Sequence, residues 1–262
     1  MKLLATQKPF VGMVHLAPLP GSVEYARHGA DPIIDGALRD LAALEEGGVD
    51  AVLVENFGDA PFAKQAPRET IAMLTAVVLR ICAAARVPVG VNVLRNDGEA
   101  ALAIAAATGA AFVRVNVFAG VAFTDQGAIE GRARDLLRLR RDLGVQVEIL
   151  ADVHVKHAVH LTSLEEAVVD LDRNRPDALV VSGIGTGLPA TAEDLDTVKR
   201  HSARPVFVGS GITAESVARY GRADGFIVGT TLKQAGSVSA PVEVARVREV
   251  AAAIGALRRA AR

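Results

Sequence analysis

Short, nearly uninterrupted runs of Val, Ile, Leu and Phe alternate along the chain with longer stretches in which apolar residues recur at helical spacing. The rhythm predicts eight strands, at 10–15, 51–55, 87–93, 111–117, 146–152, 178–182, 206–209 and 225–229. Between and after them it predicts helices at 32–46, 69–85, 99–107, 128–142, 164–174, 192–201, 214–220 and 241–259. Strand cores such as AVLV, FVRV and FIV have almost no polar face, as expected of parallel strands covered on both sides. Several helices stop at a Gly leading directly into the next strand, in EEGGVDAV, ATGAAFV and DLGVQV. About eight strand-helix units match a TIM barrel of about 250 residues, whereas a doubly wound sheet usually has about five or six strands. No Pro/Ser linker or low-complexity break interrupts the pattern, so residues 1–262 read as one (β/α)8 barrel domain.

In such a barrel the chemistry lies at the C-terminal ends of the strands. Polar residues fall there repeatedly: His15, then Glu55 and Asn56, Asn92, Arg114 and Asn116, Asp152 and His154, and Ser182. The stretch 149–158 is the densest, and strand period two puts Asp152, His154 and Lys156 on one face. A carboxylate beside a cation suits general acid/base work, so Asp152, Glu55, His154 and Lys156 are the catalytic candidates. A Schiff base on Lys156 is a second use of the amine. The plain alternative is that the strand has already ended and these side chains sit in solvent. His15, Asn56, Asn92, Arg95, Arg114, Asn116 and Ser182 suit substrate hydroxyls, carbonyls or phosphate oxygens. For Arg114 a buried ion pair with Glu55 or Asp152 is the competing reading.

Two glycine turns, VGSGIT at 208–213 and VGTTLK at 228–233, follow the seventh and eighth strands. Backbone N–H groups crowded there form the usual barrel phosphate grip, from Gly209, Ser210, Gly211, Gly229 and Thr230, with Lys233 adding charge. SGIGTG at 182–187 adds Gly183 in an anion-tolerant loop. No nucleotide P-loop or dinucleotide fingerprint is present, so NAD is not expected. A divalent ion on Glu55, Asp152, His154 and His157 is the metal alternative. No HExxH spacing supports it, and no metal ligand or cofactor is assigned. Long segments at 16–31, 57–68 and 118–127 suit lids or oligomer contacts, leaving a homo-oligomer open.

A net charge of −1 gives no global pull on nucleic acid or anionic lipid, and Cys82 alone can form no intrachain disulfide. No apolar run reaches the roughly 20 residues needed to span a bilayer, and the N-terminus does not resemble a secretory signal. A cytoplasmic protein is expected, with peripheral membrane attachment left open.

The motifs GMVHLAPLPG, VENFGDAPF, GVNVLRND, RVNV, TDQG, ADVHVKH and VGSGI together resemble the BtpA/SgcQ family over nearly the whole chain. The resemblance implies a TIM barrel of the phosphate-binding type and brings two associations. One is photosystem I biogenesis, as a peripheral thylakoid protein; the other is sugar-operon proteins with a presumed phosphosugar or nucleotide-related activity. An assembly factor needs a docking surface, and the sequence advertises no large hydrophobic or basic one. The leading expectation is therefore an enzyme of lyase, isomerase or glycosidic-bond chemistry on a phosphorylated sugar or nucleotide-like molecule. On this reading Asp152→Asn should abolish turnover and spare the fold.

Overall fold

The computed structural model describes residues 2–27, 29–183 and 189–260. Eight parallel strands close into a barrel: β1 (Phe10–His15), β2 (Ala51–Glu55), β3 (Val89–Asn92), β4 (Phe112–Val115), β5 (Glu148–Asp152), β6 (Ala178–Val181), β7 (Val206–Val208) and β8 (Gly225–Val228). They follow sequence order around the ring, and β1 pairs with β2 on one side and β8 on the other. Outside lie α1 (Asp31–Gly47), α2 (Arg68–Ala84), α3 (Gly98–Thr108), α4 (Ala133–Asp142), α5 (Leu164–Asn174), α6 (Ala192–His201) and α7 (Val244–Ala260). The TIM-barrel expectation holds. Between β7 and β8 the expected helix at 214–220 is only a 3₁₀ turn, Val217–Tyr220. The segment there is one turn long before the chain must enter β8.

Strand parity builds two apolar layers. Val14, Val52, Val54, Val91, Val113 and Ile149 face outward and pack with the helices, while Met13, Leu53, Phe112, Leu150, Val180 and Phe207 fill the interior. Gly90 is required inside, because a Cβ there would lie 2.2 Å from Phe112 Cε2. The N-terminal turn Leu3–Ala5 closes the barrel floor, and Glu148 Oε2 accepts from Leu3 N at 2.9 Å. Helix ends follow capping chemistry. Gly48 and Gly109 end α1 and α3 in the left-handed region, while Ser163/Glu166 and Thr191/Asp194 form capping boxes on α5 and α6.

The sequence pattern misses a three-stranded antiparallel sheet on the barrel mouth. The strands Val121–Thr124 and Gly127–Glu130 form a hairpin, and Ala158–His160 pairs with the first of them. The hairpin takes residues expected in α4, which starts at Ala133 rather than 128. The segment 118–127 is thus sheet over much of its length, not an open loop. Val121, Phe123 and Val159 are exposed, with Phe123 opposite Val159 in register, and Leu161 is exposed just beyond. An apolar face therefore exists that the sequence did not advertise. Among the described residues, no helix is long and apolar enough to cross a membrane.

Candidate active site

The parity that places Met13, Leu53, Phe112 and Leu150 inside the barrel also carries His15, Glu55, Arg114 and Asp152 inward, one step nearer the C-terminal mouth. Gly90 and Asn92 follow the same parity on β3. Above this layer, a narrow cleft is lined by His15, Glu55, Phe57, Arg114 and Lys156 on one part of its wall. Gly209, Ser210, Gly211, Gly229 and Thr230 line another part. Both glycine turns therefore reach the same space as the charged groups. Gly211 has φ +63°, and a Cβ on it would lie 2.5 Å from Pro189 Cα. On Gly229 a Cβ would lie 2.8 Å from His15 Cε1. Neither turn has room for a side chain at these points, so backbone amides can approach a ligand closely.

Asp152 is deeper than the cleft and fully engaged. Its carboxylate accepts from Arg114 Nε at 2.8 Å and Nη2 at 2.9 Å, and from Asn116 Nδ2 at 3.0 Å. Arg114 Nη2 also donates to Ser182 Oγ at 3.3 Å. Beneath them Asn92 Nδ2 donates to Arg114 O at 3.0 Å and Asn116 Oδ1 at 3.1 Å. These contacts fix the guanidinium in one geometry, with a charged face toward the cleft.

Burial dominates the ionisable groups that remain. It raises the Glu55 carboxyl above the ordinary carboxylate range, against the opposing pull of Arg114 and Lys156. It lowers the Lys156 amine, and Arg114 lowers it further, with Glu55 and Asp152 partly offsetting. His15 is lowered to about 3 by burial and then by Lys233, Lys156 and Arg114. Its Nε2 lies 3.9 Å from Glu55 Oε1, a contact made by a neutral imidazole rather than an ion pair. Phe57 packs on the same ring, with centroids 4.8 Å apart.

A family model for the BtpA family matches residues 6–256. The chain belongs to the BtpA family. A protein of Thermococcus kodakarensis, described as uncharacterized, is 50% identical over 93% of this chain and 94% of its own length. The photosystem I biogenesis protein BtpA of Synechocystis is 44% identical, with 92% of this chain and 86% of that protein covered. A mitochondrial protein of Caenorhabditis elegans, also described as uncharacterized, is 30% identical over 98% of this chain and 97% of its own. Among solved structures, phosphoribosyl anthranilate isomerase from Thermus thermophilus superposes with a TM-score of 0.60 at 14% identity, covering 95% of this chain and all of that one. The tryptophan synthase alpha subunit of Legionella pneumophila gives 0.59 at 16% identity, over 95% of this chain and 93% of that one. These two likenesses are of fold.

In this BtpA-family barrel the remaining expected site residues are dispersed. His154 leaves the face shared by Asp152 and Lys156, because the barrel ladder ends at Asp152↔Val180 and the chain then turns through His157 at φ 57°. It lies in an adjoining cavity with His160, Asp194, Ser182 and Gly183, stacked on His160 at 4.2 Å. Its imidazole is lowered to about 4, by burial and then by His160. Gly183 belongs to that cavity, and residues 184–187 of the same loop lie outside the described residues.

Asn56 does not line the cleft. Its amide donates to Asp59 Oδ2 at 2.9 Å and accepts from Leu94 N at 2.7 Å, fixing two mouth loops to each other. Arg95 donates to Lys156 O at 2.6 Å and so anchors the backbone that presents the amine. Lys233, expected to charge the phosphate grip, is buried against Asp40 of α1 instead. Among the described residues, no group of three or more His, Cys, Asp or Glu side chains could hold a metal ion, and Glu55, Asp152, His154 and His157 do not converge. Phe57 was missed; its only signal was its place directly after Glu55-Asn56 at the end of β2.

Proposed function

We propose that the chain is an enzyme of acid/base chemistry acting on a small phosphorylated sugar. The observation that carries this reading is the meeting, in one cleft, of the two glycine turns with Glu55, Lys156 and Arg114. Backbone amides of Gly209–Gly211 and Gly229–Thr230 would hold the phosphate. Arg114, locked by Asp152, would meet a substrate oxygen that gains negative charge. Glu55 and Lys156 would move the proton. A carboxyl raised by burial and an amine lowered by burial are both nearer the working pH than in water, the condition for efficient proton transfer. Asp152, committed to Arg114, becomes a positioning group. Lyase, isomerase and glycosidic-bond chemistry all use such a pair. Thermal melting with ribose 5-phosphate and with ribose tests the reading. A ligand at about 100 times its Kd should stabilise by about 2.7 kcal/mol. Stabilisation by ribose 5-phosphate alone is expected; the absence of stabilisation by any phosphate ester would defeat the reading.

A second reading, a noncatalytic photosystem I biogenesis factor bound at a membrane surface, draws on the name of the Synechocystis relative and on the exposed Val121, Phe123, Val159 and Leu161. The Caenorhabditis elegans relative argues for a role outside photosynthesis, since an animal has no photosystem. Co-sedimentation with membranes that survives Lys156→Met but not Phe123→Asp would favour this second reading.

A further inference from the structure

The cleft encloses only about 50 Å³. Since a single water needs about 10–15 Å³ on this scale, there is space for a phosphate-sized group and little more. Across His15 and Phe57 lies a second cavity of about 460 Å³, inside the roughly 300–1,000 Å³ range of small-molecule sites. Both residues line both spaces, so the cavities adjoin through a common wall at the barrel mouth.

The second space has the opposite chemistry to the first. Its walls include Pro18, Ile33, Ala37, Val238 and Pro241, together with the Phe57 ring. Of its charged lining residues, Asp40 and Lys233 are spent on each other, and Asp40 Oδ1 also accepts from Val242 N at 2.9 Å, which leaves Arg39, exposed on α1, as the remaining charge. Flat faces of proline and phenylalanine around an apolar void suit a ring better than a flexible chain, because a rigid ring buries much area with little entropy to lose.

Resting on the reading of the cleft as a phosphate site, we propose that the ligand is a two-part molecule. The phosphate and the reacting end of a sugar lie in the cleft, and the sugar carries an uncharged apolar ring that fills the second cavity, with the linkage passing His15 and Phe57. This explains why a cleft with charged walls is so small: it holds only the head of its ligand.

Gly36 of α1 lines the second cavity, and a Cβ there would meet only Arg39 Nη2 at 3.7 Å. Gly36→Leu therefore fills the space without a backbone clash and leaves the cleft untouched. Calorimetric titration with ribose 5-phosphate and with phenyl riboside 5-phosphate is the test. In the native protein the phenyl compound should bind about ten- to a hundredfold tighter, from the apolar area buried by one ring. In Gly36→Leu that ratio should fall to about one with ribose 5-phosphate affinity unchanged, while Gly36→Ala should keep the gain. Circular dichroism melting confirms that each variant folds. Ribose 5-phosphate binding with no gain from the ring, or a gain that survives Gly36→Leu, overturns the proposal alone. Failure of ribose 5-phosphate to bind overturns the reading of the cleft, and the proposal falls with it.

Discussion

Asp152→Asn should destabilise the fold by about 3–5 kcal/mol, the cost of leaving one partner of a buried ion pair uncompensated. Asp152 is 2% exposed and Arg114 5%, so water cannot replace the lost charge. The substitution is isosteric but wrong in polarity. Oδ1 accepts from Arg114 Nε, and Oδ2 accepts from Arg114 Nη2 and Asn116 Nδ2. Whichever way the new amide turns, its NH2 faces a donor. For a chain of this size about 1 kcal/mol moves the melting point by about 2–4 °C, so a fall of roughly 6–20 °C is expected. Urea unfolding followed by circular dichroism measures the free energy directly. The double variant Arg114→Met/Asp152→Leu should recover much of the loss, because it removes both charges together. An Asp152→Asn protein melting within about 2 °C of the native one would refute this account and return Asp152 to the acid/base role.

Three further outcomes follow from the cleft. Lys156→Met should lower turnover by about 10²–10⁴-fold while leaving the melting point unchanged or raised, since a desolvated amine is removed; steady-state rates and melting curves together check it. Glu55 favours its protonated form in the fold, so its stabilising contribution is complete below the ordinary carboxyl value of 4.5 and is lost as pH rises through the raised folded value. Glu55→Gln should therefore match the native protein near pH 4 and exceed it in stability at pH 8. In the window between the two values the gap should widen by about 1.4 kcal/mol per pH unit; equal stability across the range would show that Glu55 ionises freely. The His15 ring, lowered to about 3, should not titrate between pH 5 and 8 in ¹⁵N NMR, and a transition near its ordinary 6.5 would contradict its burial.

Wherever the barrel ladder continues, the sequence pattern reads the site well. Period two and the register Met13↔Leu53, His15↔Glu55 and Glu55↔Asn92 are enough to bring those polar ends to one layer. Extending the same period past Asp152 fails for His154, because period two is a property of a hydrogen-bonded strand and the β5 ladder stops there. The hairpin at 121–130 was hidden for a related reason. Thr124 Oγ1 accepts from Gln126 N at 3.2 Å and donates to Gly127 O at 3.1 Å, a turn made by side-chain bonds that hydrophobic patterning does not register.

Partner choice is the other limit. Arg114 pairs in register with Leu150, so its side chain must reach toward the mouth, and the first inward carboxylate it meets on that neighbouring strand is Asp152. Glu55 lies across Asn92 on the far side of β3 and has no such fork. The two acids look alike in sequence, yet this stagger gives one of them two guanidinium bonds and leaves the other in the cleft with a raised affinity for its proton. Only a carboxyl of the second kind can gain and lose a proton without dismantling the barrel mouth. On the proposed reading the acid/base pair is therefore Glu55 with Lys156, held in the field of an arginine that Asp152 keeps still.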